Sequence, residues 1–184
     1  MSNIGRFIEL DIGPFVNNRG MTYEGECNKG NLTLGQSSLP AEVLMSREFF
    51  ESNGVPFHFT YYEAGDNLEM MGQTIDIENI TARRAHFFGA SSNGSFYEDV
   101  YFLKDRIEVF KCCVHLSDII SVNPDFSDQC ALTLDYVHSI NGKNYNFSPR
   151  LWHYCIDFVN DVDFNQIRFE DNPFIHIFAI TFEK

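Results

Sequence analysis

The chain has 184 residues, 13 basic against 26 acidic, and its formal net charge of -13 would repel phosphate backbones and anionic headgroups, so neither nucleic acid nor a membrane surface is an expected partner. Hydrophobic residues make up 44%, with 19 Phe and 8 Tyr, a composition that favours aromatic and β-branched strands over helices. No apolar span suits a membrane helix and no Pro/Ser-rich linker interrupts the chain, so a single domain over 1–184 is expected.

The start, Met1-Ser2-Asn3-Ile4-Gly5-Arg6, lacks the basic-then-apolar pattern of a secretory signal, which points to the cytoplasm unless a signal has been removed. Cys27, Cys112, Cys113, Cys130 and Cys155 are odd in number and form no CxxC pair, fitting free thiols in a reducing compartment.

In chain order, Phe7 to Ile12 reads as a strand with Ile8, Leu10 and Ile12 inward. Ser46 to Ser52 suits a turn or two of helix. Val55 to Tyr62 alternates Val55, Phe57, Phe59 and Tyr61 against Pro56, His58, Thr60 and Tyr62, and Gln73 to Ile80 sets Ile75 and Ile77 against Thr74, Asp76 and Glu78. Tyr97 to Leu103 and Ile107 to Leu116 flank Lys104-Asp105-Arg106 as a hairpin. The apolar parity changes between Val109 and Phe110, which predicts a β-bulge. Ala131 to His138 and Leu151 to Val159 form a second pair around the turn dipeptide Asn141-Gly142, followed by a short helical turn at Asp161 to Gln166. The ending, Asn172 to Phe182, is apolar on both alternating faces and reads as a strand covered on both sides. Short period-2 segments between turns predict an all-β fold of sandwich or barrel type.

The landmarks Leu39-Pro40-Ala41-Glu42, Gly54-Val55-Pro56-Phe57, Gly72-Gln73-Thr74-Ile75, Phe88-Gly89-Ala90-Ser91 and Pro173…Ile177-Phe178-Ala179-Ile180-Thr181 resemble the galactose-binding-like jelly-roll domains that accompany many bacterial glycoside hydrolases. The resemblance runs from about Phe7 to the end. It implies a jelly-roll β-sandwich of two antiparallel sheets with little helix, non-catalytic sugar binding through loops or a sheet face, and a structural calcium ion at one end. The chain departs from that pattern where Asp105 is followed by Arg106 rather than Gly, and it carries no hydrolase segment.

Sugar recognition needs aromatic faces for pyranose C–H surfaces and fixed amides or charges for hydroxyls. Arg150-Leu151-Trp152-His153-Tyr154 offers both, with Trp152 either a sugar platform or, as its apolar neighbours favour, a core anchor. Tyr62, on the face of His58 and Thr60, is the expected outward ring, with a cross-strand aromatic pair as the alternative. Asn93 in Ser91-Ser92-Asn93-Gly94-Ser95 could present an amide, although that composition is first a turn. For calcium, Asp11, Asn17, Asn18, Glu42 and Glu183 could share one site if the termini meet, against the plainer reading of isolated solvated side chains. Two other classes stay open. One is a jelly-roll enzyme using His153, His115 or Cys113, which a deep pocket would favour; the other is an interaction module, with self-association among its options, which an exposed apolar face would favour.

Overall fold

The computed structural model describes residues 5–47 and 50–184, and it is an all-β sandwich built on a few very long strands. The first half supplies short elements: β1 (Phe7–Leu10), β2 (Met21–Thr22), β3 (Leu39–Pro40), the one-turn helix α1 (Ala41–Leu44), β4 (Phe50–Ser52), β5 (Val55–Phe57) and β6 (Leu68–Met71). Then come β7 (Thr74–Ser91), β8 (Phe96–Lys104) and β9 (Ile107–Leu116). β10 (Gln129–Thr133), β11 (Val137–Ser139) and β12 (Gly142–Asn144) precede β13 (Arg150–Phe169) and β14 (Asp171–Glu183).

The main sheet runs β1-β14-β7-β13-β8-β9, with β10 added on β13 and β6 on β14. β7 and β13 belong to both layers. Residues 84–89 of β7 pair with 152–157 of β13 in one layer; in the other, residues 80–82 pair with 162–164 and 74–76 with 166–168, a second bulge leaving Ile77, Glu78 and Asn79 opposite Asn165 alone. At the corner, residues 158–161 of β13 stand opposite Arg83 alone. A bulge of that size turns the strand and lets one pair of strands serve two sheets. Val159 at the bulge has φ 67°, and its N–H donates to Asp157 Oδ1 at 2.9 Å.

The layers close on aromatic rings. Phe182 of β14 meets Phe164 of β13 at 5.1 Å between centroids, mostly edge to face, while Phe102 of β8 meets Phe164 and Phe158 at 4.9 Å. All four rings are buried. Burying each contributes roughly 1.5–3 kcal/mol, so this cluster is a principal source of stability. The terminal strand is covered on both faces from Ile175 to Phe182, as its sequence pattern implies. Gly89 lets β7 approach β14 closely, because a Cβ there would lie 2.2 Å from the His176 carbonyl oxygen.

Several local expectations need correction. The helical turn lies at Ala41–Leu44 rather than within Ser46–Ser52; Phe50–Ser52 is a strand, and Glu48 and Phe49 fall outside the described residues. Asp161 to Gln166 is not helical but part of β13, because its partners Asp76 to Ala82 satisfy its backbone in the ladder. Val55 to Tyr62 is a strand only to Phe57, and Ala131 to His138 divides into β10 and β11. The predicted bulge is present, since Phe102 pairs with Phe110 and Leu103 with Glu108, leaving Val109 unmatched. No helix among the described residues is long and apolar enough to cross a membrane.

Candidate functional site

At one end of the sandwich four segments, 33–37, Asn93, 118–120 and 137–147, line a cleft of about 320 Å³. Its apolar surface comes from Ile119, Ile120, Val137 and Phe147, and its polar groups from Asn93, Ser139 and Asn144, with the 33–37 loop closing one side. Six of the thirteen large apolar side chains that stand exposed among the described residues (Leu34, Ile120, Val122, Ile140, Tyr145 and Phe147) come from the segments forming this end. That clustering distinguishes it from the scattered exposure usual on a surface.

Short polar side chains hold the loops. Asp118 accepts the Gly94 N–H on one carboxylate oxygen and the Ile120 N–H on the other at 2.9 Å, joining the Asn93-Gly94 turn to the 118–121 loop. Both residues of that turn have positive φ, 63° for Asn93 and 135° for Gly94, which Asn and Gly tolerate best. Asp128 accepts from the Ser117 N–H at 2.7 Å and from its hydroxyl at 2.9 Å. Ser38 and His138 exchange two backbone hydrogen bonds, at 3.0 and 2.8 Å, that fix the β11–β12 hairpin to the 33–38 loop. The cleft is thus shaped by directional bonds; Asn93 Nδ2 donates to Ser92 Oγ at 3.2 Å and Asn144 Oδ1 accepts from the Asn146 N–H at 3.0 Å, so ligand contact falls to Phe147 and the remaining donors and acceptors of the two amides.

The expected ligand-binding residues divide into three groups. Asn93 lines the cleft directly. Trp152 is fully buried and its indole N–H donates to the Asp118 carbonyl at 3.1 Å, so the core alternative holds and the ring supports the cleft from behind. Arg150, half-buried, uses its guanidinium on the Ser121 carbonyl at 3.1 Å, bracing the same loop. Tyr62 and His58 are exposed but far along the chain from these loops, and the Tyr62 ring packs over Gly13, where a Cβ would meet it at 2.3 Å. His153 is buried in a separate chain of polar contacts.

In that chain the Ser52 hydroxyl lies 3.1 Å from His153 Nδ1, His153 Nε2 lies 3.0 Å from His86 Nδ1, and His86 Nε2 points at Glu183 Oε2 at 3.5 Å. With the hydrogen on Nε2 of both rings, the Ser52 hydroxyl donates to His153 and His153 to His86, while His86 Nε2 faces Glu183 without closing a hydrogen bond. Burial raises the Glu183 carboxyl, but Arg6 and Arg84 outweigh it and hold the group below its usual range. Burial, then the neighbouring His86, lowers His153 to about 4, far from the range of an effective general base at neutral pH. The other enzymatic candidates are no better poised. Burial pushes the Cys112 thiol up to about 12 and the Cys113 thiol upward, away from thiolate chemistry, and the His115 ring stacks on Tyr154 at 5.4 Å.

The five candidate cation ligands do not converge. Asp11 accepts from the Gly13 N–H, and Asn17 and Asn18 both bond to Glu69. Glu42 accepts from the Tyr136 hydroxyl, and Glu183 pairs with Arg6 and Arg84. No group of three or more His, Cys, Asp or Glu side chains among the described residues gathers closely enough to hold a metal ion.

Sequence reasoning missed Ser139, Asn144 and Phe147. The available signal is Asn141-Gly142-Lys143-Asn144-Tyr145-Asn146-Phe147, which alternates amides with aromatic rings after a turn dipeptide. No curated protein matches the chain. The model of the AziU2-like beta-sandwich domain family matches residues 7–184, in keeping with the two-layered strand architecture, and the chain belongs to that family.

Proposed function

We propose that the loop-end cleft binds a neutral sugar and that the chain is a non-catalytic, galactose-binding-like carbohydrate-recognition module. The observation that carries this reading is the union of Phe147 with the amides of Asn93 and Asn144 around one cleft of about 320 Å³. A ring face suits the C–H surface of a pyranose, amides suit its hydroxyls, and the volume lies at the low end of small-ligand sites. The formal charge of -13 fits a neutral ligand better than an anionic one.

A thermal-shift panel of mono- and oligosaccharides, each with calcium and with a chelator, tests it. A ligand that binds only the folded state raises the melting temperature by mass action. The expected result is a sugar-specific rise abolished by Phe147→Ala and reduced by Asn144→Ala. A rise with calcium alone supports only a structural ion, and the absence of any sugar response overturns the reading.

A further inference from the structure

The sandwich has an open edge on the side away from β9. Residues 74–76 and 80–82 of β7 pair with β13 on one side, with a bulge at Ile77–Asn79 opposite Asn165 between them, and β14 joins β7 only from Arg84 onward, so no described strand pairs with the other side of that stretch. The bulge divides it into two regular stretches, Thr74–Asp76 and Ile80–Ala82, of about 10 Å each at ~3.3 Å per residue. β1, which pairs only with β14 among the described strands, stands across from it.

Between the two lies a groove of about 510 Å³. Ile8, Leu10, Phe15 and Ile77 form a half-buried apolar floor, and Glu9, Asp11, Asp76 and Glu78 stand exposed on the rim. One neighbouring cleft of about 410 Å³ shares Ile8, Asn79 and Ile80, reaches Ala82 and has Lys184 at its margin. The edge sequence Thr74-Ile75-Asp76-Ile77-Glu78-Asn79-Ile80-Thr81-Ala82 contains neither Lys nor Pro; its bulge and the carboxylates of Asp76 and Glu78 disfavour pairing with a like, acidic edge.

We propose that this groove docks an extended, Lys/Arg-bearing peptide segment of a partner protein, added as a strand to the open edge of β7. Main-chain hydrogen bonding to the edge supplies affinity, alternate apolar side chains settle on the floor, and the intervening basic side chains meet the four rim carboxylates. A second copy of this chain is the poorer occupant, because it would bring the same acidic edge and a formal charge of -13 against its like.

Fluorescence anisotropy with a labelled, amidated (Lys-Val)5 peptide, against (Glu-Val)5 at about 0.15 M salt, tests the proposal. The basic peptide is expected to bind in the micromolar range and the acidic one not at all. Asp76→Lys/Glu78→Lys is expected to weaken binding at least about tenfold, whereas Glu51→Lys/Glu108→Lys, the same charge change elsewhere, leaves it within about twofold. Backbone amide shifts are expected to concentrate in residues 74–82. Absence of binding, equal weakening by both double variants, or shifts centred elsewhere would overturn it, and none of these outcomes bears on the sugar cleft.

Discussion

The strand body and the loop end of this sandwich are held by different physics. Phe102, Phe158, Phe164 and Phe182 close the body through apolar burial, which needs volume and shape but no particular partner atom. The loop end is held by Asp118, Asp128, Ser117 and backbone bridges, each bond tied to one donor and one acceptor. The body can therefore set stability while the loops vary, and the loops can fix a cleft without enlarging the core. The cleft lies where short polar residues replace long ladders.

The largest test of that contrast is Phe164→Ala, which removes a ring packed against Phe102, Phe158 and Phe182. Denaturant unfolding is expected to show a loss of about 3–5 kcal/mol. A loss near zero would mean that the aromatic cluster is not the keystone of the body.

Acidification comes next. Burial holds His153 and His176 at about 4, against 6.5 for an unperturbed imidazole. Between about pH 6.5 and about 4 the unfolded chain therefore takes up protons that the folded chain refuses, and stability falls as pH falls, by up to about 3 kcal/mol per ring. Asp66 acts in the opposite sense. Burial raises its carboxyl from 3.8 to about 6, so the folded chain keeps a proton that the unfolded chain has released, and this contribution grows as pH falls through that window. Burial also lowers His86 and raises Glu69, and with three imidazoles lowered against two carboxyls raised the melting temperature is expected to drop from pH 6.5 to pH 4. His153→Gln should flatten that slope and Asp66→Asn should steepen it; a flat wild-type profile would contradict the assignment.

Gly89→Ala should destabilise by about 1–3 kcal/mol, because a methyl group there meets the His176 carbonyl and the strands must part. At the loop end, Phe147→Ala should change stability by no more than about 0.5 kcal/mol, since the ring is half exposed, while removing the sugar response. Equal destabilisation by Phe147→Ala and Phe164→Ala would erase the distinction between the two regions.

The same contrast decides how much was legible in sequence. Ile175 to Phe182 advertised a strand covered on both faces, and the parity change at Val109 advertised a bulge, because period-2 burial writes itself into apolar positions. The corner at 158–161 was not legible: its long-range pairing partner, β7, overrides any local helical tendency of Asp161 to Gln166. The cleft was legible only at Asn93. Phe147 and Asn144 line one cleft with Asn93 only through long-range folding of their segments, and no local pattern encodes that.

The most direct measurement of the central claim is an amide chemical-shift titration of the isotope-labelled protein with neutral mono- and oligosaccharides. Saturable shifts grouped at 33–37, 93, 118–120 and 139–147 are expected. A panel that moves no amide, or one that moves those around His58 and Tyr62 instead, would contradict that claim.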